Sequence, residues 1–299
     1  MNKWKKLVAV ATAGLALGTS YTPIAQAESI TYSQFGEQVK DVHLQIDSVH
    51  VKGQLDVSTT GGSQELAIQG MLDALVDIAN LNTSGKASAV AQGQTFNLEW
   101  AIKDNQLVYS LLGAPFETQD ITEYKAQFKQ GLTQGFEQAL IEQTKLVAEY
   151  TKYAPLFDDL FDVEMTDTEY VLSLKQNIDG KAYFEKHEAL LKEFKQFLVE
   201  KIRENQEVTA DQERLFTELD QHFTADNFAK LASINPTYVI HYAKDSLNPL
   251  SIEFTAVIKL KELTSQAGAE APDQISVKYS MTFDQYNQPL DIKLPATNQ

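Results

Sequence analysis

Hydrophobicity recurs at every second residue at both ends of this chain and at every third or fourth through its middle, and that switch of period restricts the folds open to it. In "TFNLEWAIKDNQLVYSLLG", residues 95–113, Phe96, Leu98, Trp100 and Ile102 fall on one side of an extended segment. Asp104 and Asn105 then supply turn chemistry, and Leu107, Tyr109 and Leu111 resume the alternation. The spacing predicts antiparallel strands over 83–91, 95–103 and 106–112. Upstream, "DVHLQIDSVHVKGQLDVS" alternates too, but its apolar phase slips from even to odd positions at Asp47-Ser48, which predicts a bulge or bend there. Four further alternating stretches, 238–242, 250–258, 275–283 and 290–294, predict a closing meander.

Between these regions the period lengthens. Tyr124, Phe128, Leu132, Phe136, Leu140, Val147 and Tyr150 predict one long amphipathic helix from Thr122 that ends before Pro155. "FDVEM" and "YVLSLKQ" predict a hairpin, and Asp179 opens a second helix through Tyr183, Phe184, His187, Leu191, Phe194, Leu198 and Ile202. Thr209 and Gln212 form a capping box for a third helix, and Phe228 with Leu231 marks a short fourth. Ile68, Met71, Leu72, Leu75 and Ala79 also stand at helical spacing behind Ser63. Residues 64–80 are therefore expected to be a short helix, with a further strand as the rival reading. This order of elements gives an α+β class, an antiparallel sheet with amphipathic helices gathered on its apolar face. The other face, with Glu99, Lys103, Lys259 and Lys278, is expected to meet water.

The first 27 residues carry Lys3, Lys5 and Lys6, an apolar run from Leu7 to Gly18, and Ala25-Gln26-Ala27, the pattern of a secretory leader cleaved after Ala27. The run is shorter than the ~20 residues that cross a bilayer, so no transmembrane anchor is expected. Residues 28–299 then form one domain, placed outside the cell. No cysteine is present, so neither disulfides nor thioether lipidation can contribute, and the core alone must hold the fold. Together with the short lysine-led leader, this suggests a Gram-positive source. Formal charge is -16, and -19 once the leader's three lysines are gone. Such a surface repels nucleic acid and anionic headgroups, so no nucleic-acid partner is expected.

Catalytic patterns are missing: the chain has no G-x-S-x-G, no S-x-x-K and no glycine-rich phosphate loop. "HEALL" at His187 lacks the second histidine of a zinc helix, and His187 reads as a packed residue. "KQNIDGKAYFE" has Asn177, Asp179 and Gly180 in calcium-loop register, but Lys175 and Lys186 occupy the outer ligand positions. Asp179-Gly180 there reads as strand-to-helix punctuation. "FDDLFD" gathers Asp158, Asp159 and Asp162, read as a solvated loop and not as an acid–base pair. "LPATNQ" lacks the glycine, apolar segment and basic tail of a sortase signal. No catalytic residue, cofactor or metal is expected.

The early hairpin "FNLEWAIKDNQLVYSLL", the long helix from Thr122 and the closing "YNQPLDIKLP" resemble, in order, the bacterial lipoprotein carriers and the mycobacterial lipid-binding lipoproteins. They look closer still to secreted or lipid-anchored Gram-positive proteins of that fold. The resemblance implies a curved, half-open barrel with helices on its concave face and room for acyl chains between. Phe96, Leu98, Trp100, Tyr238, Tyr242 and Phe254 would then line the cavity, opposite Leu132 and Phe136. The function expected is non-enzymatic binding of a hydrophobic or amphipathic, lipid-like molecule. The alternative is a cell-envelope interaction protein with a filled core and no small-molecule ligand.

Overall fold

The computed structural model describes residues 28–39, 46–61, 65–126, 152–205, 209–232, 234–260 and 272–295. It begins with β1 (Glu28–Ile30) and α1 (Tyr32–Val39), then β2 (Ser48–Thr60), β3 (Ala67–Asp77), β4 (Asn82–Ala91), β5 (Gln94–Lys103), β6 (Gln106–Leu111) and β7 (Glu117–Asp120). After a helical stretch at 122–126 come α2 (Ala154–Leu160), the hairpin β8 (Phe161–Met165) and β9 (Glu169–Leu174), and three helices. These are α3 (Gly180–Asn205), α4 (Ala210–His222) and α5 (Ala225–Ala232). The meander β10 (Thr237–Ala243), β11 (Pro249–Lys259) and β12 (Gln274–Asp284) closes the order.

The strands form one antiparallel sheet in the order β1-β8-β9-β10-β11-β12-β2-β3-β4-β5-β6-β7. The late meander meets the early strands where β12 pairs with β2, Gln274 opposite Thr60 through Asp284 opposite His50. β1 and β7 are the two edges, so the curved sheet stays open. Two of its hairpins turn on adjacent left-handed residues, Gln92-Gly93 and Asp104-Asn105, the backbone that matches strand twist in two-residue turns.

Register decides which side chains share a face. Ile30, Val163, Leu172, Ile240, Ile252, Met281, Gly53, Leu72, Ala87, Leu98 and Leu111 follow one another as cross-strand partners from β1 to β6 in sheet order. A second row on the same face runs Tyr238, Phe254, Tyr279, Leu55, Gly70, Ala89 and Phe96. The opposite face is polar: Lys86 pairs with Glu99 at 2.9 Å, and the His50 ring lies between the carboxylates of Asp284 and Asp73, 2.8 Å from each. Lys259 and Lys278 are exposed there.

Helices α1, α2, α3 and α5 collect at the β8–β10 end. α1 lays Tyr32 and Phe35 against a buried cluster of Val163, Leu172 and Ile240. Ser33 fixes that docking, its backbone N–H and hydroxyl both donating to Asp158 at 2.7 and 2.6 Å. A second cluster joins Tyr153, Leu156, Tyr183, Phe184 and Leu191 of α2, α3 and the turn before them, with Phe223 and Phe228 packed on it. Phe157 links the clusters, 5.1 Å from the Tyr32 ring and 5.8 Å from that of Phe194. Asp179 caps α3, accepting from the N–H groups of Lys181 and Ala182. Gly180 is required beside it, because a Cβ there would fall 2.2 Å from the carbonyl oxygen of Phe228 in α5. Thr209 and Gln212 make the reciprocal capping box of α4.

Several expectations need correction. Residues 67–77 are strand β3, not a helix: Ile68, Leu72 and Val76 face the apolar side together with the small Gly70 and Ala74, while Met71 and Leu75 sit on the polar side. That mixture hid the period of two. Residues 290–294 form no strand; β12 already has β11 and β2 on its two sides, so the chain that follows cannot pair back onto it. Instead 285–295 runs as a strap held by Asn287 to Ser48, Ser48 to Gln288, and the Lys103 ammonium to the Ile292 carbonyl. Ile292 is buried, as are Ala101 and Val108 on the face that carries Lys103. The acidic run 158–162 is a helix–strand junction, not a loop. The expected helix from Thr122 is present over 122–126; its residues 127–151, with Leu132 and Phe136, lie outside the described residues, as do 1–27 and the start of the first predicted strand.

Candidate functional site

The predicted lining residues share one sheet face and are spread along it. Tyr238 and Tyr242 stand on β10, Phe254 on β11, and Phe96, Leu98 and Trp100 on β5. From β10 to β5 is six strand spacings, about 29 Å along the sheet. The structure brings Tyr238, Tyr242 and Phe254 together and sets Phe96, Leu98 and Trp100 apart from them. Trp100 is half-buried opposite its partner Gly85, where a Cβ would lie 2.7 Å from the indole. The glycine makes room for the ring.

Burial along the first row differs between the β8–β10 strands and the β5–β6 end. Val163 is 0% and Leu172 6% exposed, whereas Leu98 and Leu111 are 37% and 53% exposed. Phe96, in the second row, is also exposed, and Leu112 follows just beyond β6. The far end of the apolar face thus presents a contiguous set of large side chains to solvent, of the kind that marks a binding surface.

At the near end a cavity of about 270 Å³ opens between α2, α3, α5 and the end of β9. Leu156, Phe157, Leu174, Tyr183, Leu191 and Phe194 are among its walls, with Lys175 and Asn235 at its polar side. Beside it, Tyr32, Tyr170, Tyr238 and Tyr242 crowd around Phe35 and Phe161, with ring centroids 5.1–6.2 Å apart in the contacting pairs. Tyr170 donates its hydroxyl to Gln38 at 2.9 Å. Burial pushes the Tyr242 phenol up to about 12, and raises Tyr32 and Tyr238 as well. Tyr32, Phe35 and Tyr170 were not singled out from the sequence; the Tyr32–Phe35 spacing, about one helical turn, was the available signal.

The acidic run is divided among separate partners. Asp158 takes Ser33, Asp162 lies 3.8 Å from Lys175, and Asp159 accepts from Lys186 and, at 2.6 Å, from His187 Nε2. Lys186 first and His187 second hold the Asp159 carboxyl below its usual range. Each of these carboxylates has its own partner, and His187, buried beside the Tyr183 ring, serves as a packed hydrogen-bond partner of Asp159. Among the described residues no cluster of metal-ligating side chains occurs, and no helix is long and apolar enough to cross a membrane.

Fold and face together define an α+β protein with an open twelve-stranded antiparallel sheet, one side of it apolar from β1 to β6. Neither a protein-family model nor a curated protein matches the chain. Among solved structures it is similar to a LolA superfamily protein from Nitrosomonas europaea, at 8% identity and a TM-score of 0.19, over 89% of this chain and 96% of that one. A likeness so slight transfers no property of that protein to this one.

Proposed function

We propose that this is an exported, non-enzymatic binding protein for an apolar or amphipathic small molecule, lipid-like in character, held against the apolar sheet face. The observation that carries this reading is the exposure of Leu98, Leu111 and Phe96 on a face whose other half is buried. Leaving such side chains in water forfeits roughly 25 cal/mol per Å², which an apolar ligand would recover. The cavity of about 270 Å³ is close to the lower limit of ordinary ligand sites, ~300 Å³, and adds space at the near end. A secretory leader and the acidic surface fit a role outside the cell, in contact with the cell envelope.

Within residues 28–299 Trp100 is the only tryptophan, so its fluorescence reports on this face alone. Titration with monoolein is expected to give a saturable blue shift of the Trp100 emission. Native mass spectrometry of protein from its own host should show a bound molecule removed by organic solvent. The absence of both a shift and a bound molecule would overturn the reading. It would favour the second one, an envelope interaction protein without a small-molecule ligand, for which the filled β8–β10 face speaks.

A further inference from the structure

We propose that the cavity between α2, α3, α5 and the end of β9 holds the chain of a medium-length fatty acid, whose carboxylate is received by Lys175 and Asn235. The inference rests on the apolar-ligand reading above and specifies the ligand of this cavity: the length of its chain and the charge of its head.

The walls set the chain. Leu156, Phe157, Leu174, Leu191, Phe194 and Phe228 are apolar, and Lys175 is the only charged side chain among the described residues that line the cavity. Leu231 of α5, another wall, is 55% exposed, so the fold leaves a large apolar side chain in water at the cavity's edge. A methylene occupies about the space of one water molecule, ~30 Å³, so the cavity of about 270 Å³ takes a chain of about nine carbons.

The hydrogen bonds of the polar side set the head. Its acceptors are already used: Asn235 Oδ1 takes the N–H of Asn177 at 2.8 Å, the Pro236 carbonyl takes Gln176 Nε2 at 3.1 Å, and the Leu156 carbonyl takes the Tyr183 hydroxyl at 3.2 Å. Its donors are in surplus. The Lys175 ammonium gives a proton to the Asp158 carbonyl at 2.7 Å, while the Asp162 carboxylate stands 3.8 Å away, beyond hydrogen-bond distance. With its oxygen committed to Asn177, Asn235 has only its amide N–H groups to offer a ligand. Two nearby carboxylates are engaged elsewhere, Asp158 with Ser33 and Asp179 with the first N–H groups of α3. The head that fits accepts from two donors and matches a positive charge; a carboxylate does both, whereas an alcohol lacks the charge and an amine repeats it. The acidic surface is screened beyond ~10 Å in 0.1 M salt, so the local contact with Lys175 decides.

Isothermal titration calorimetry with decanoate and decan-1-ol, which match in length and differ in the head, tests this on the exported protein and on Lys175→Met and Asn235→Asp. Lys175→Met keeps an apolar stem and removes the charge. Asn235→Asp keeps the oxygen that Asn177 uses and replaces the donor with a negative charge. Decanoate should bind the wild type more tightly than decan-1-ol, and each variant should lose about tenfold in decanoate affinity while decan-1-ol changes less than about twofold. Urea midpoints identify a variant that has lost its fold, and the other variant then decides. Decan-1-ol bound as tightly as decanoate, or decanoate affinity unchanged in a folded variant, would overturn this inference. So would a wild type that ignores decanoate and still gives the Trp100 shift with monoolein, which leaves the apolar-ligand reading intact. A wild type that binds none of the three would overturn both.

Discussion

The sheet has two halves built from the same alternation and finished differently. Over β8, β9 and β10 the apolar face is covered by α1, and α2 with α3 continues the packing beyond it; Val163, Leu172 and Ile240 are buried there. Over β4, β5 and β6 the same face, in the same register row, exposes Leu98 and Leu111. Periodicity places a side chain on a face, and tertiary cover determines whether that face is core. The aromatic residues that looked alike as sequence therefore differ in role: Tyr238 and Tyr242 sit within an aromatic cluster, whereas Phe96 meets solvent.

The sharpest way to break this contrast uses two leucines of one row. Leu172→Ala is expected to cost about 2–5 kcal/mol, the transfer loss plus a cavity that the packed cluster cannot close. Leu98→Ala, at the exposed end, should cost less than about 1 kcal/mol. Urea unfolding of both variants measures the difference. Equal losses would mean that the face is uniformly core, and the proposed binding surface would vanish.

Glycines sharpen the comparison at intermediate size. Gly180→Ala puts a Cβ into the α3–α5 crossing and should destabilise by about 1–3 kcal/mol. Gly85→Ala meets the Trp100 ring and the Asp73 carbonyl at 2.7 Å and should both destabilise and shift Trp100 fluorescence. Gly53→Ala, with nothing nearer than 3.6 Å, should stay within about 0.5 kcal/mol of wild type. Thermal unfolding ranks the three, and a costly Gly53→Ala would show that the open half is packed more tightly than its exposure implies.

Much of this architecture was legible before any coordinates. Strands β4 to β6 and β10 to β12, the β8–β9 hairpin, α3 and the Thr209 box fall within a residue or two of the expected bounds, because each combines a clean period with turn or cap chemistry. β3 was misread because Gly70 and Ala74 thin its apolar face while Met71 and Leu75 occupy the polar one. β1 and β7, three and four residues long, are too short to show a period. The strap at 285–295 alternates like a strand, but strand identity needs a free neighbour, which no local pattern encodes. The tyrosine cluster was half visible: Tyr238 and Tyr242 belong to a periodic strand, while Tyr32 joins them through tertiary packing of α1, which Ser33 ties to Asp158 of α2.

The smallest expected effect concerns the charges of the covered half. Lys186 and His187 lower the Asp159 carboxyl in the folded protein below its ordinary 3.8, so the ionised form is favoured by folding. The stabilisation is present above that ordinary value and is lost as pH falls through the lower folded one. The Asp159 side chain is only partly shielded, which keeps the contribution below about 1 kcal/mol. Asp159→Asn should therefore lower the urea midpoint slightly at neutral pH, and the two midpoints should converge in acid as the wild-type carboxylate is protonated. A gap that persists undiminished in strong acid would show that Asp159 acts through packing at the α2–α3 contact and not through its charge.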